Sequence, residues 1–192
     1  MNAIAVETVE KDRIPDPTPY RPPEMEPGRD AWELVKQVWM TEPSRITLPV
    51  DPVAIGQDLE IEMLDDDELP PEVTSVLRTD SESVAPQIRL NPLDGVDRRR
   101  FPCAVALGHY SRCIETGVAG SWESVERRDR LLADDCGDGR GYAVAFASEL
   151  LMPRIALREV LDTRGVAALA TYFGVTGDVM SFRLGRLGMV NR

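Results

Sequence analysis

The spacing of apolar residues along the chain changes character more than once, and each change predicts a different kind of element. In "RDAWELVKQVWM" (29–40), Trp32, Val35, Val38 and Trp39 recur at helical intervals, which predicts an amphipathic helix with Asp30 as its N-cap. In "LPVDPVAIGQDL" (48–59), Asp51 is set to cap a short helix that Pro52 opens, because the first helical residue needs no N–H donor. "LEIEML" (59–64) sets Leu59, Ile61 and Met63 against acidic neighbours, the period of a strand with one wet face. "DDDELPPE" (65–72) reads as a solvated acidic turn in preference to a metal site. "VTSVLRT" (73–79) and "QIRLN" (87–91) predict two further strands, ending at the Asn91-Pro92 turn.

From about Asp97 the period becomes helical. "RRRFPCAVALGHYSRCIE" (98–115) predicts one long helix, and "GYAVAFASELLM" (141–152) a second that Pro153 stops. Between them, "SWESVERRDRLLADDCGDGRG" (121–141) reads as a mixed polar connection. The remainder breaks into three short helices at Gly165 and at Gly174 to Gly177. Helix, small sheet, then helices is the order of an α+β fold.

Composition narrows the function classes. A chain of 192 residues supports a real core, and a net charge of -11 argues against nucleic acid as the main partner, because phosphate binding needs clustered Lys and Arg. No apolar run approaches the ~20 residues of a membrane span. The start of the chain has no signal-peptide pattern, so a cytoplasmic protein is expected. Cys103, Cys113 and Cys136, three cysteines in a long chain, suit reduced thiols better than a disulfide framework. Six prolines fall within "IPDPTPYRPPEMEPG" (14–28), so residues 1–29 are expected to form a disordered or extended tail; a polyproline docking segment is the alternative. "GDGRG" (137–141) lacks the lysine and the spacing of a phosphate-binding loop. Ser111 and Asp129 stand in no context that marks a nucleophile or its base. The Arg98-Arg99-Arg100 run reads as the solvated start of a helix in preference to a phosphate contact.

Four blocks, "PVDPVAIGQDLEIEM", "RRRFPCAVALGHY", "AFASELLMP" and "LATYFGVTGDVMSFRLGRLGMV", occur in the order and near the spacing of ImmA/IrrE-type zinc metallopeptidases. The chain resembles that family from about residue 30 to 190. The resemblance implies a zincin-like α+β fold: a small β-sheet, an active-site-type helix pair and a C-terminal helical segment resembling a helix-turn-helix. It implies descent from enzymes that cleave helix-turn-helix repressors, often encoded on phages and mobile elements. The family's metal motif is H-E-x-x-H, in which two histidines one turn apart share a zinc ion and the glutamate serves as general base. A glutamate from the next helix supplies the third protein ligand.

Laid on this motif, the chain departs from it. Val105 stands at the first histidine position, Ala106 at the general-base position, and His109 at the second histidine. The third ligand falls at Arg140, or at Tyr142 if the register slips by two, and Val144 replaces an asparagine of the family pattern. The chain has one histidine, so no register yields a two-histidine zinc site. The sequence therefore predicts no catalytic residue, no metal and no cofactor, with Val105, Ala106, His109 and Arg140 as vestigial positions. It predicts a pseudopeptidase that binds and regulates a protein, in phage immunity or repressor control, with a helix-turn-helix repressor as the partner to test first and no membrane. Two alternatives remain open. One is a metal-dependent peptidase using His109, Cys113 and Cys136. The other is a DNA-associated regulator acting through the C-terminal helices, where Arg183 and Arg186 lie on an otherwise apolar second helix. The domain plan is a tail over 1–29, a zincin-like domain over 30–153 and a helical subdomain over 154–192.

Overall fold

The computed structural model describes residues 27–34, 40–42, 45–79, 85–117, 120–133, 139–161 and 164–189. The elements, in chain order, are α1 (Pro27–Leu34), β1 (Met40–Glu42), β2 (Arg45–Ile46), α2 (Pro52–Asp58), β3 (Glu62–Asp65), β4 (Val73–Thr79), β5 (Gln87–Leu90), α3 (Val96–Thr116), β6 (Trp122–Arg127), α4 (Arg140–Leu151), α5 (Arg154–Val160), α6 (Val166–Phe173) and α7 (Gly177–Arg186). The expected tail falls outside the described residues except at its end, where Pro27 to Arg29 already belong to α1.

Local chemistry sets several boundaries as the sequence predicts. Asp51 accepts the Val53 N–H at 3.0 Å and caps α2, with Pro52 as its first residue. Asn91 accepts from Leu93 N–H and donates its amide to the carbonyls of Val73 (2.8 Å) and Pro70 (3.1 Å), fixing the turn after β5. Three expectations need correction. Helix α1 starts at Pro27, so Asp30 lies in its first turn and caps nothing; its carboxylate instead accepts the Tyr142 hydroxyl at 2.9 Å. Of the run expected to be one helix to Met40, the described residues up to Leu34 are helical, residues 35–39 lie outside the described residues, and Met40 belongs to β1 instead. The strand expected from Leu59 starts at Glu62, because Leu59 closes α2 and Glu60 turns the chain with a positive φ of 60°.

The larger sheet has the order β3-β5-β4-β6. β3 runs parallel to β5, while β4 is antiparallel to both β5 and β6. β6 is the largest departure from expectation: the polar stretch 121–141 contains a six-residue strand, with Val76 paired to Val125 and Ser75 to Glu126. Helix α3 lies across β4 and packs on α4; Phe101 to His109 are all buried, and the Ser75 hydroxyl donates to the Pro102 carbonyl. At the α3–α4 crossing a Cβ on Gly108 would stand 2.9 Å from Ala143 Cα, so only glycine lets the two backbones meet. Leu169, Phe173, Met180 and Leu184 of α6 and α7 join the same buried cluster as Leu107, Phe146 and Leu150.

Candidate functional site

α3 and α4 bring two of the sequence-selected positions together, and β6 supplies a third residue that pattern reasoning misses. His109 sits on α3, Arg140 opens α4, and Glu126 lies on β6 between them. His109 Nε2 donates to Glu126 Oε1 at 3.1 Å, and Arg140 Nη2 donates to Glu126 Oε2 at 3.0 Å. All three are buried, at 6%, 8% and 2% exposure for His109, Arg140 and Glu126. Arg140 also donates to the Leu131 carbonyl at 3.2 Å and the Ala133 carbonyl at 3.4 Å, so its guanidinium ties the chain after β6 to α4. The Trp122 ring, on the same strand as Glu126, lies 5.7 Å from the His109 ring.

A buried carboxylate is tolerable only when its oxygens are served. Both oxygens of Glu126 are. Burial alone would raise its carboxyl, but the hydrogen bond and charge of His109, with the Arg140 guanidinium, outweigh it and hold the group below its ordinary range.

The two candidates for the third ligand position have different partners. Arg140 reaches the carboxylate that His109 holds, whereas the Tyr142 hydroxyl donates to Asp30 on α1. Val105 and Ala106 are buried in the core cluster beside His109 on α3. Valine and alanine offer no lone pair, and the guanidinium is a fixed cation bound to the one carboxylate at hand. These residues do not fit a zinc ion: the positive charge that a metal would bring is already present as Arg140.

The alternative ligand set is not assembled among the described residues. Cys136 lies outside them, and no three His, Cys, Asp or Glu side chains within them form a metal-binding group. Cys113 is half-buried, and that burial pushes its thiol up to about 11. Cys103 is fully buried, and desolvation raises its thiol further.

In the C-terminal helices, Arg183 is not presented to a nucleic acid. It is buried, pairs with Glu149 and donates Nε to the Met152 carbonyl at 3.2 Å. Of the three-arginine run, Arg99 pairs with Asp65 and Arg100 donates to the Val50 carbonyl at 2.8 Å, both structural uses. No helix among the described residues is long and apolar enough to cross a membrane.

The missed residue, Glu126, had a signal of period two. Trp122, Ser124 and Glu126 face inward while Glu123, Val125 and Arg127 are exposed, so the apolar valine points out and the acid points in. A search for apolar alternation reads that pattern backwards.

No curated protein matches the sequence. The family model of the IrrE N-terminal-like domain, a peptidase family, matches residues 66–185, from the acidic turn before β4 to the end of α7. That is more than half of the chain, and the small four-stranded sheet with its crossing helices fits the zincin-like fold of the family. The chain belongs to the ImmA/IrrE family, a zinc metallopeptidase lineage, through its IrrE N-terminal-like domain.

Proposed function

We propose that this chain is a pseudopeptidase: a member of its family that has exchanged hydrolysis for protein binding, and that serves as a cytoplasmic regulator in phage immunity or repressor control. One observation carries the reading. Arg140, one of the two candidates for the third-ligand position, has its guanidinium locked on Glu126, the carboxylate that also holds His109. A hydrolytic zinc centre needs two imidazoles, a general base and an opening for water. Here one imidazole is present, the base position is Ala106, and the residues concerned are buried.

Binding does not require that chemistry. A polypeptide can add to a sheet edge through main-chain hydrogen bonds alone, and β6, like β3 at the other end, is an outer strand of the four-stranded sheet. A helix-turn-helix repressor is the partner to test first, by analogy with what the family's active members cleave. The experiment has two parts, both on the full chain. Metal analysis of protein purified without chelator is expected to find zinc well below one ion per chain. A pull-down from the native host is expected to recover a regulator intact. Stoichiometric zinc, together with chelator-sensitive cleavage of the captured partner, overturns the reading in favour of a peptidase.

A further inference from the structure

The four-stranded sheet ends on β3 and β6, and among the described residues neither pairs with a further strand. An outer strand leaves a row of N–H and C=O groups open to another chain, and proteins usually blunt such an edge with charges that repel a second copy. β3 is blunted in this way. Glu62 and Asp65 stand at its two ends, so antiparallel pairing of two β3 strands sets acid against acid. β6 is different. Its exposed residues are Glu123, Val125 and Arg127, an acid and a base placed symmetrically about a valine that is 45% exposed.

The bonds that β6 makes inward show which of its backbone groups face outward. The Thr74 hydroxyl donates to the Glu126 carbonyl at 3.1 Å, and the Arg128 N–H donates to the Glu72 carbonyl at 2.8 Å. Both bonds run towards β4 and the residue just before it. In an antiparallel ladder the N–H and C=O of one residue point to the same side, and those of the next point to the other. Glu126 and Arg128 therefore face β4, while Glu123, Val125 and Arg127 present their N–H and C=O groups to the outer edge.

A two-fold axis at Val125 brings the β6 strands of two copies together antiparallel, the self-complementary contact of a closed dimer. Val125 lies opposite Val125 of the partner subunit, and Glu123 lies opposite Arg127 of the partner subunit, in both directions. All three residues with outward backbone groups fall on hydrogen-bonded pairs, so each N–H meets a carbonyl. On the solvent face two acid–base pairs flank a valine pair, the kind of cross-strand contact that stabilises a sheet. Arg127 is available for this: its contact with Asp129 is 3.6 Å long between side chains 48% and 70% exposed, a pair that contributes little.

We propose that the chain forms a two-fold homodimer through β6, joining two four-stranded sheets into one continuous sheet with β3 at either end. The contact is narrow, so the dimer is weak and its population rises with concentration. The pairing lies outside the pseudopeptidase reading and holds whether or not the chain hydrolyses anything.

Sedimentation velocity of the full chain at rising concentration tests it, with amide hydrogen exchange on the same samples. The sedimentation coefficient is expected to climb from the monomer value towards the dimer value, and the Val125 amide to exchange more slowly in the concentrated sample. Glu123→Arg and Arg127→Glu each turn both acid–base pairs into like-charge pairs, and each is expected to weaken association by about tenfold or more. Both side chains are exposed, so neither change reaches the core. Mixed in equal amounts, the two variants regain both acid–base pairs in the heterodimer, and association is expected to return to the native level. A chain that stays monomeric at every concentration, a dimer that the single reversals leave unchanged, or a mixture that associates no better than either variant alone overturns the proposal.

Discussion

At the scale of single residues, His109, Glu126 and Arg140 form a buried ion-pair network. Glu126 keeps its charge in the interior because His109 and Arg140 each occupy one of its oxygens. Removing the carboxylate strands a buried guanidinium, so Glu126→Ala is expected to cost about 3–5 kcal/mol in urea unfolding, whereas Glu126→Leu with Arg140→Leu together recovers most of that loss. The pH dependence has a definite sign. A carboxyl held below its unfolded value contributes stability that is present above that value and is lost as pH falls through the folded one. The stability difference between the native chain and Glu126→Gln is therefore largest near neutrality and shrinks on acidification below about pH 4, the ordinary glutamate range. Urea midpoints of both proteins between pH 6 and pH 3 measure it. A constant difference would show that Glu126 does not titrate with the fold. None of this is legible without coordinates: His109 and Arg140 are visible as motif positions, but the residue that joins them is 17 positions from one and 14 from the other.

At the scale of elements, what the sequence reveals depends on whether a boundary is made by local chemistry or by tertiary pairing. The Asp51-Pro52 start of α2, the stop of α4 at Pro153 and the break between α6 and α7 are local, and they stand where the residues put them. β6 is made by its neighbour. Its inward residues are Trp122, Ser124 and Glu126, and only the pairing with β4 and the partners of Glu126 make such a strand stable. The crossing of α3 and α4 sits between these cases. "LGH" gives no hint that Gly108 is a contact point, yet its missing Cβ lets Ala143 approach. Gly108→Ala is expected to push the helices apart and to cost about 1–3 kcal/mol, despite alanine's better helix propensity. Gly185→Ala, inside α7 where a Cβ meets nothing within 4 Å, is the control and is expected to leave stability unchanged or slightly raised. Equal urea midpoints for the two variants would mean that the helix pair is looser than its backbone contact indicates.

At the scale of the whole molecule, the chain keeps the zincin-like fold of its family, and the proposed reading treats scaffold and site as separable. If the scaffold still holds the ligand positions, restoring their residues should restore a metal response. The variant Val105→His, Ala106→Glu, Arg140→Glu returns an imidazole one turn before His109, a carboxylate beside it and a third ligand from α4. It also removes the cation that neutralises Glu126, so its zinc-free form gathers like charges in the interior and is expected to be much less stable than the native chain. Zinc then supplies the missing positive charge. Binding to the folded state alone stabilises by about 2.7 kcal/mol when free metal is a hundredfold above the dissociation constant, an increase of several degrees in melting temperature. The native chain, with Arg140 in place, is expected to show no such increase. Melting curves of both proteins with and without zinc decide it. A native chain that zinc stabilises as strongly as the variant removes the argument from Arg140. A variant that folds but ignores zinc shows that Val105 and Arg140 no longer stand where ligands would have to be.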